Sequence, residues 1–548
     1  MTTAAARTLA RRVWRWVWAS TTETRAPDDR QGRAGFLECG TRLEPPVIPE
    51  VYTDPHPVAH HIAGQAVLAG PLAPVHNPAT GQVARWVHQA EGPQIVQAVA
   101  AAVAAQRPWG EMPVAQRARV LQRFLHLAQG AGRELAQRIG SEQGKTLDDA
   151  LGEVRRALEF VEFACAAPAL LGGRYSAQAA TGLDHWTQPQ PLGVTVGVTA
   201  SSCPFMLPLW MAPLALVCGN SFILKPSPLA PSAALWIAEA LREAGLPPGV
   251  FQVLQGGAET VNGLICHPEV AALSFVGRSS VARSLYARGA ELGKRVQALG
   301  SAKNHLVVLP DADLDAACEA LVGAAFGSAG QRCMAVSVAL LVGHTADALI
   351  PRLMDRARNL RVGPGWQEGV ELGPLSSAEA MARVERLIGC GAEDGARLLV
   401  DGRGLRVRGH EGGFFVGATL IDEVQPWMRI YQEEVFGPVL LCLRVPDLEA
   451  AQALIAAHPL AQAAVLYTRS GAAARRFVQQ VPVGAVGINV PLPQPLAWMG
   501  FGGWKGSLYG EPAAYGPEAF HFYTRQKAVL QRWEPAPAGA AFVFPGAR

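Results

Sequence analysis

A change of texture at Gly193 constrains the fold more than any other feature of the chain. From there short β-rich runs, "VTVGVT" (194–199), "SFILKP" (221–226), "VFQVLQ" (250–255) and "VAALSFVG" (270–277), alternate with helical stretches such as "LPLWMAPLALVCGN" and "SAALWIAEALREAG". Strands alternating with helices of that length build βαβ units around a parallel sheet. Ligands of such sheets bind outside the carboxyl ends of the strands. Those ends here are "TASSCP", "LKPSP", "QGGAET" and "VGRSS", and none contains a G-x-G-x-x-G turn. The predicted class is α/β.

Upstream, "QIVQAVAAAVAAQRPWGEMPVAQRARVLQRFLHLAQGAGREL" and "ELAQRIGSEQGKTLDDALGEVRRALEF" carry apolar residues three and four apart, which predicts helices. A second α/β stretch starts at "NHLVVLPDADLDAA" and runs to about Pro495, and alternation in "FHFYTRQKAVLQRW" predicts a strand. At 548 residues the chain is long enough for roughly three domains of about 150 residues. The formal net charge of +3 points to no nucleic-acid partner.

Before the compact body, which is expected to begin near His60, Ala26–Pro57 has the composition of a linker. The first 25 residues hold five arginines against one acid, with Trp14, Trp16 and Trp18 among them. That start fits a mitochondrial transit peptide as well as an unstructured leader. Val13–Ala19 is too short and too charged to span a bilayer, and no later stretch reaches that length uninterrupted.

Nine cysteines, an odd number with no C-x-x-C pair, argue against a disulfide framework or a zinc site and suit a reducing compartment. Cys333 stands apart, because it follows an arginine in the glycine-rich "FGSAGQRCMA" (326–335) rather than branched apolar residues. A thiol becomes a nucleophile as the thiolate, which a neighbouring cation such as Arg332 favours. By residue type alone, a lone cysteine beside arginine is more often structural than catalytic.

Several motifs share one order and spacing with a known family. "VHNPATGQV", "FILKPS", "AGLPPGVFQVLQGG", "FGSAGQRCMA" and "EEVFGPV" resemble the NAD(P)-dependent aldehyde dehydrogenases over roughly His60–Trp533. "PLWMAPLALVCGNSFILKPS" and "KRVQALGSAKNHLVVLPDADLD" are similar to the CoA-acylating, methylmalonate-semialdehyde branch. The resemblance implies a Rossmann-type cofactor domain (59–172 and 193–302), an α/β catalytic domain (303–495) and a β-strand oligomerisation extension (173–192 and 510–535), after a disordered leader and linker (1–58). It also implies a homodimer or homotetramer in the cytoplasm, or in the mitochondrial matrix if the leader is a transit peptide.

In the chemistry the resemblance implies, Cys333 attacks a small-molecule aldehyde, the thiohemiacetal gives hydride to NAD, with NADP not excluded, and a thioester remains. Hydrolytic relatives place a glutamate in "LELGGK" as base for water. Leu299 takes its place here, so coenzyme A is the expected acyl acceptor. Arg332, together with Arg156 in "GEVRRALE", is expected to clamp a substrate carboxylate, against the alternative that Arg156 lies on a solvated helix face paired with Glu153 and Glu159. Lys225 and Glu434 match residues that hold ribose hydroxyls; Thr199, Ser201, Arg278 and Gly300 fall at further cofactor-contact positions.

Three positions depart from the family. Ser202 replaces the asparagine of a P-F-N-F-P-like run that holds the oxyanion, Pro228 replaces an acid that binds the adenine ribose, and Arg278 replaces a small serine near the pyrophosphate. These changes keep a second role open beside an active dehydrogenase, that of a weakly active or inactive relative serving as an oligomer subunit or binding protein.

Overall fold

The computed structural model describes residues 56–511 and 514–533. The arginine-rich leader, most of the linker and the C-terminal tail lie outside them.

Two sheets organise the chain. The first has eight strands, in the spatial order Gln65–Val67, His60–Ile62, Phe251–Val253, Ser221–Lys225, Val194–Val198, Val270–Val276, Arg295–Leu299 and Leu508–Gly510. Its five central strands are parallel. Val194–Val198 and Ser221–Lys225 are buried along their whole length, as strands covered by helices on both faces must be. Chain order reverses between Val194–Val198 and Val270–Val276, which opens a crevice at their carboxyl ends.

The second sheet runs Arg397–Val400, Thr419–Asp422, Val439–Val445, Val336–Val342, Asn304–Val308, Ala463–Tyr467 and Ala485–Ile488, parallel except for its first pair. Residues 300–303 join the last parallel strand of the first sheet to Asn304–Val308 of the second. This short link brings the carboxyl end of one sheet against the amino end of the other.

The helix Leu147–Cys165 supplies side chains to that junction. Thr146 caps it by accepting the Asp149 amide at 3.3 Å, and Ala150, Val154, Ala157, Leu158 and Val161 bury one stripe against the core. The same face carries Glu153 inward.

Thr524–Gln531, Leu183–Pro191 and Tyr175–Ala180 form a separate three-stranded antiparallel sheet that is largely exposed. The strand expected over "FHFYTRQKAVLQRW" begins only at Thr524, because Pro517–Phe522 is a helix. Pro517 sits in its first turn, where a missing N–H costs nothing, and the buried Phe520 and Phe522 only imitate a strand's period of two. No helix among the described residues is long and apolar enough to cross a membrane.

Candidate active site

Cys333 sits just before the strand Val336–Val342 on a loop held in an unusual conformation. Ser328, Ala329 and Gly330 all have positive φ (52°, 53° and 66°), a region costly for the first two. Asp149 holds the loop: its Oδ2 accepts the Ser328 amide at 2.8 Å and the Ser328 hydroxyl at 3.0 Å. Gly330 leaves no room for a side chain, since a Cβ would stand 2.1 Å from the Gly437 carbonyl oxygen. Beyond the cysteine, Asn304 donates to the carbonyls of Cys333 (2.9 Å) and Ala335 (3.0 Å) and accepts the Ala463 amide at 3.0 Å. The cysteine's backbone is fixed from both sides.

The half-buried thiol lines a small cavity with Arg332, Ala302 and Glu434. Burial, reinforced by the Cys203 thiol and Glu434, pushes the Cys333 thiol up to about 12, while the Cys333 and Met334 amides act in the opposite direction. The activating cation expected from sequence adjacency does not lower it. Arg332 pairs with Asp149 and donates to the Ser328 hydroxyl at 3.0 Å, so its charge braces the loop.

Arg156 pairs with Glu159 and donates to the Pro495 carbonyl, with its guanidinium 5.5 Å from the Phe160 ring. The Tyr515 hydroxyl donates to the same carbonyl at 3.0 Å. Tyr515 packs against Phe160, Trp210 and Phe501 at ring separations of 4.5, 5.4 and 5.4 Å, and its buried phenol is raised by burial and by proximity to Cys333. Glu153, considered from sequence as a partner for Arg156, instead binds Lys145 at 2.5 Å and accepts the Phe205 and Met206 amides at 2.9 and 3.0 Å.

Ser202 is buried in the turn between Val194–Val198 and the helix Met206–Val217. Leu299, also buried, ends its strand and presents no ionisable group.

The crevice of the first sheet has the features a dinucleotide needs. Thr199 Oγ1, at the switch point, is buried without a hydrogen-bond partner among the described residues. Lys225 ends its strand as a buried amine, lowered by burial to about 8, and no ion-pair partner for it is found among the described residues. Ser201 follows on the half-buried turn. A cavity of about 250 Å³ lies between the helices Ala258–Cys266 and Ser279–Glu291, lined by Val261, Phe275 and Leu285 among others. It has the size and apolar lining to take a flat heterocycle.

Arg278 is exposed at the N-cap of Ser279–Glu291. Gly300 is required by packing: a Cβ there would stand 2.5 Å from Ser279 Oγ. Glu434 accepts the Ala302 amide at 2.8 Å, and burial raises its carboxyl. Arg383 pins its backbone by donating to the Glu434 and Val435 carbonyls.

A crevice at the switch point of one parallel sheet, and a cysteine on a braced loop before the central strand of a second, fit an oxidoreductase that acts on aldehydes. The chain belongs to the aldehyde dehydrogenase family, whose model matches residues 69–529. It is 50% identical to a malonate-semialdehyde dehydrogenase of Pseudomonas aeruginosa, over 89% of this chain and 99% of the relative. A putative methylmalonate-semialdehyde dehydrogenase from Sinorhizobium meliloti, solved in complex with NAD, superposes with a TM-score of 0.87 at 42% identity, over 89% of this chain and 100% of that one. A methylmalonate-semialdehyde dehydrogenase from Oceanimonas doudoroffii gives 0.86 at 47% identity, over 87% and 99%. The α/β fold expected from the sequence is the one observed, and the chain is an enzyme of this type.

Asp149, Asn304, Lys145, Arg383 and Tyr515 escaped the sequence reading. Asp149 and Lys145 left a signal in "GKTLDD", where charged residues accompany a helix cap. The other three act through contacts distant in sequence.

Proposed function

We propose that the chain catalyses NAD(P)-dependent, CoA-acylating oxidation of a carboxylate-bearing semialdehyde, malonate or methylmalonate semialdehyde, through a thioester on Cys333. The observation that carries this reading is Leu299. Where hydrolytic relatives have a carboxylate to activate water, this strand ends in a buried hydrocarbon. A thiol ionises far more readily than water, so coenzyme A is the acceptor the site suits.

Cys333 adds to the aldehyde carbonyl, and the Ser202 hydroxyl with the Cys333 amide steadies the oxyanion. Lys225, Glu434, Thr199 and Ser201 would hold a nicotinamide cofactor, which when bound would supply the hydride acceptor. Cys333 then passes its acyl group to the thiol of coenzyme A and recovers its proton. Arg156 orients the substrate carboxylate, with Arg332 as the second cation once it exchanges Asp149 for substrate.

The names of the similar proteins support both semialdehydes, and the NAD complex of one supports NAD. Pro228 leaves no acid to repel a 2′-phosphate, which keeps NADP within reach. Residues 59–172 and 193–302 would form the cofactor domain and 303–495 the catalytic domain. The exposed three-stranded sheet would join subunits into a homodimer or homotetramer in the cytoplasm.

The test is formation of reduced nicotinamide from each semialdehyde, with and without coenzyme A, in wild type, Cys333→Ala and Ser202→Asn. Turnover that needs coenzyme A, disappears in Cys333→Ala and rises in Ser202→Asn supports the proposal. An oxyanion donor is worth about 2.7–4 kcal/mol, so the rise should be large. Equal turnover without coenzyme A rejects the acylating step.

A further inference from the structure

The buried pair Lys145 and Glu153 has no part in the reaction above, yet it is tied at three points to the turn that carries Ser202. Glu153 Oε1 accepts the Phe205 and Met206 amides at 2.9 and 3.0 Å. Lys145 Nζ donates to Glu153 Oε2 at 2.5 Å and to Cys203 Sγ at 3.5 Å. The Leu207 amide bonds the Cys203 carbonyl at 3.1 Å, so the turn closes on the same residues. Ser202, Cys203, Lys145 and Glu153 are all buried. A helix start leaves its first amides without an intrahelical partner and favours an anionic acceptor. Here that acceptor comes from another helix, 52 and 53 residues away in sequence.

Asp149 lies one turn before Glu153 on that helix, Leu147–Cys165. Residues four apart share a helix face. Asp149 holds the Ser328 amide and hydroxyl of the cysteine loop and pairs with Arg332. One rigid element therefore anchors both the loop that bears Cys333 and the turn that bears Ser202. The spacing of the two anchors is set by the helix rise, about 6 Å over four residues.

We propose that Glu153 is a positioning residue for the oxyanion: through the Phe205 and Met206 amides it sets where the Ser202 hydroxyl stands relative to Cys333. Lys145 keeps the Glu153 carboxylate charged and aimed at those amides. The inference rests on Cys333 and Ser202 acting as in the proposed function, and Glu153 itself touches neither substrate nor cofactor. Its importance follows from geometry, because a reacting group misplaced by about 1 Å can lose roughly a hundredfold in rate.

The experiment follows acylation of Cys333 by p-nitrophenyl acetate in the full-length enzyme, without nicotinamide or coenzyme A, as the burst of p-nitrophenolate. Iodoacetamide alkylation of Cys333, which forms no oxyanion, is measured beside it. Lys145→Met with Glu153→Leu removes the charge pair and the acceptor of the two amides. Lys145→Met with Glu153→Gln removes the charge pair but keeps an acceptor oxygen. The leucine variant should slow the burst roughly ten- to hundredfold while alkylation stays within about twofold of wild type. The glutamine variant should recover most of the wild-type burst rate. Added to Ser202→Ala, which is already slow, the leucine variant should cost less than about threefold more, as groups acting through one another do.

If circular dichroism shows the leucine variant unfolded, Glu153→Asp takes its place in both backgrounds, because it keeps a charge for Lys145 and draws the carboxylate back by one methylene. A slowing of the same size with and without Ser202→Ala, a glutamine variant as slow as the leucine one, or equal losses of acylation and alkylation overturns the proposal. A wild type without a burst, or a burst that survives Cys333→Ala, removes the nucleophile and overturns this inference together with the proposed function. A wild-type burst beside turnover that ignores coenzyme A rejects the acylating step alone.

Discussion

Asn304 reaches from the first residue of its strand to the carbonyl of Cys333, 2.9 Å away, and so fixes the backbone of that cysteine from the neighbouring strand. Replacing it by Leu keeps the volume but strands the Cys333 and Ala335 carbonyls and the Ala463 amide in a buried site. Each unpaired group costs about 1–3 kcal/mol. Asn304→Leu should lower the melting temperature and reduce kcat more than it raises KM, measured by calorimetry and steady-state kinetics.

The ligand-free thiol of Cys333 is neutral at pH 7, because burial, Cys203 and Glu434 hold it at about 12. A raised thiol pKa means that the thiolate fraction grows roughly tenfold per pH unit until that value is approached. Iodoacetamide should therefore alkylate Cys333 at a rate that climbs steadily from pH 7 to pH 10. A plateau near pH 8 would show that the thiol is already activated.

Arg156→Gln removes one charged partner of the expected carboxylate. A hydrogen bond to a charged group is worth about 1.5–3 kcal/mol, so KM for malonate semialdehyde should rise roughly ten- to hundredfold. An uncharged aldehyde of similar size should be turned over as by wild type. Equal losses for both substrates would assign Arg156 to packing against Phe160.

The Lys225 amine, lowered by burial to about 8, is a cation at neutral pH and neutral above that value. If its ammonium holds the cofactor ribose, the dissociation constant of NAD should be level below pH 7 and rise through about pH 8. Titration by calorimetry would follow this, and Lys225→Met should abolish the pH step.

Gly330 stands at φ 66° with no room for a Cβ beside Gly437. Gly330→Ala must displace the backbone of the cysteine loop, at a cost of at least about 1–3 kcal/mol. Activity should fall while the far-ultraviolet circular dichroism of the two sheets persists.

Much of this architecture was legible because its signals are local. β-branched runs such as "VTVGV" and the amphipathic stripe of Leu147–Cys165 identify their own conformations. Cys333 stood out because small residues around a thiol make no packing sense. What stayed hidden depends on contacts between distant segments. Arg332 follows Ser328 by four residues, yet its partner Asp149 lies on another helix, so its role as a brace could not be seen from adjacency. Tyr515 joins Phe160 and Trp210 only in the folded chain. A different confusion arises at Phe520–Phe522, where two aromatics spaced by two imitate a strand inside the helix Pro517–Phe522.

Asp149 belongs to a helix whose core includes Phe222 and Leu224 of the first sheet, whereas Ala329, beside its partner Ser328, is buried in the core of the second. The loop that carries Cys333 thus rests on a joint between two separately packed layers. Gentle warming or low denaturant that lets these layers slip would release the left-handed residues Ser328 and Ala329 before either layer melts. The expected sign is a fuse: activity lost on warming before the circular dichroism of the two sheets changes, and regained on cooling.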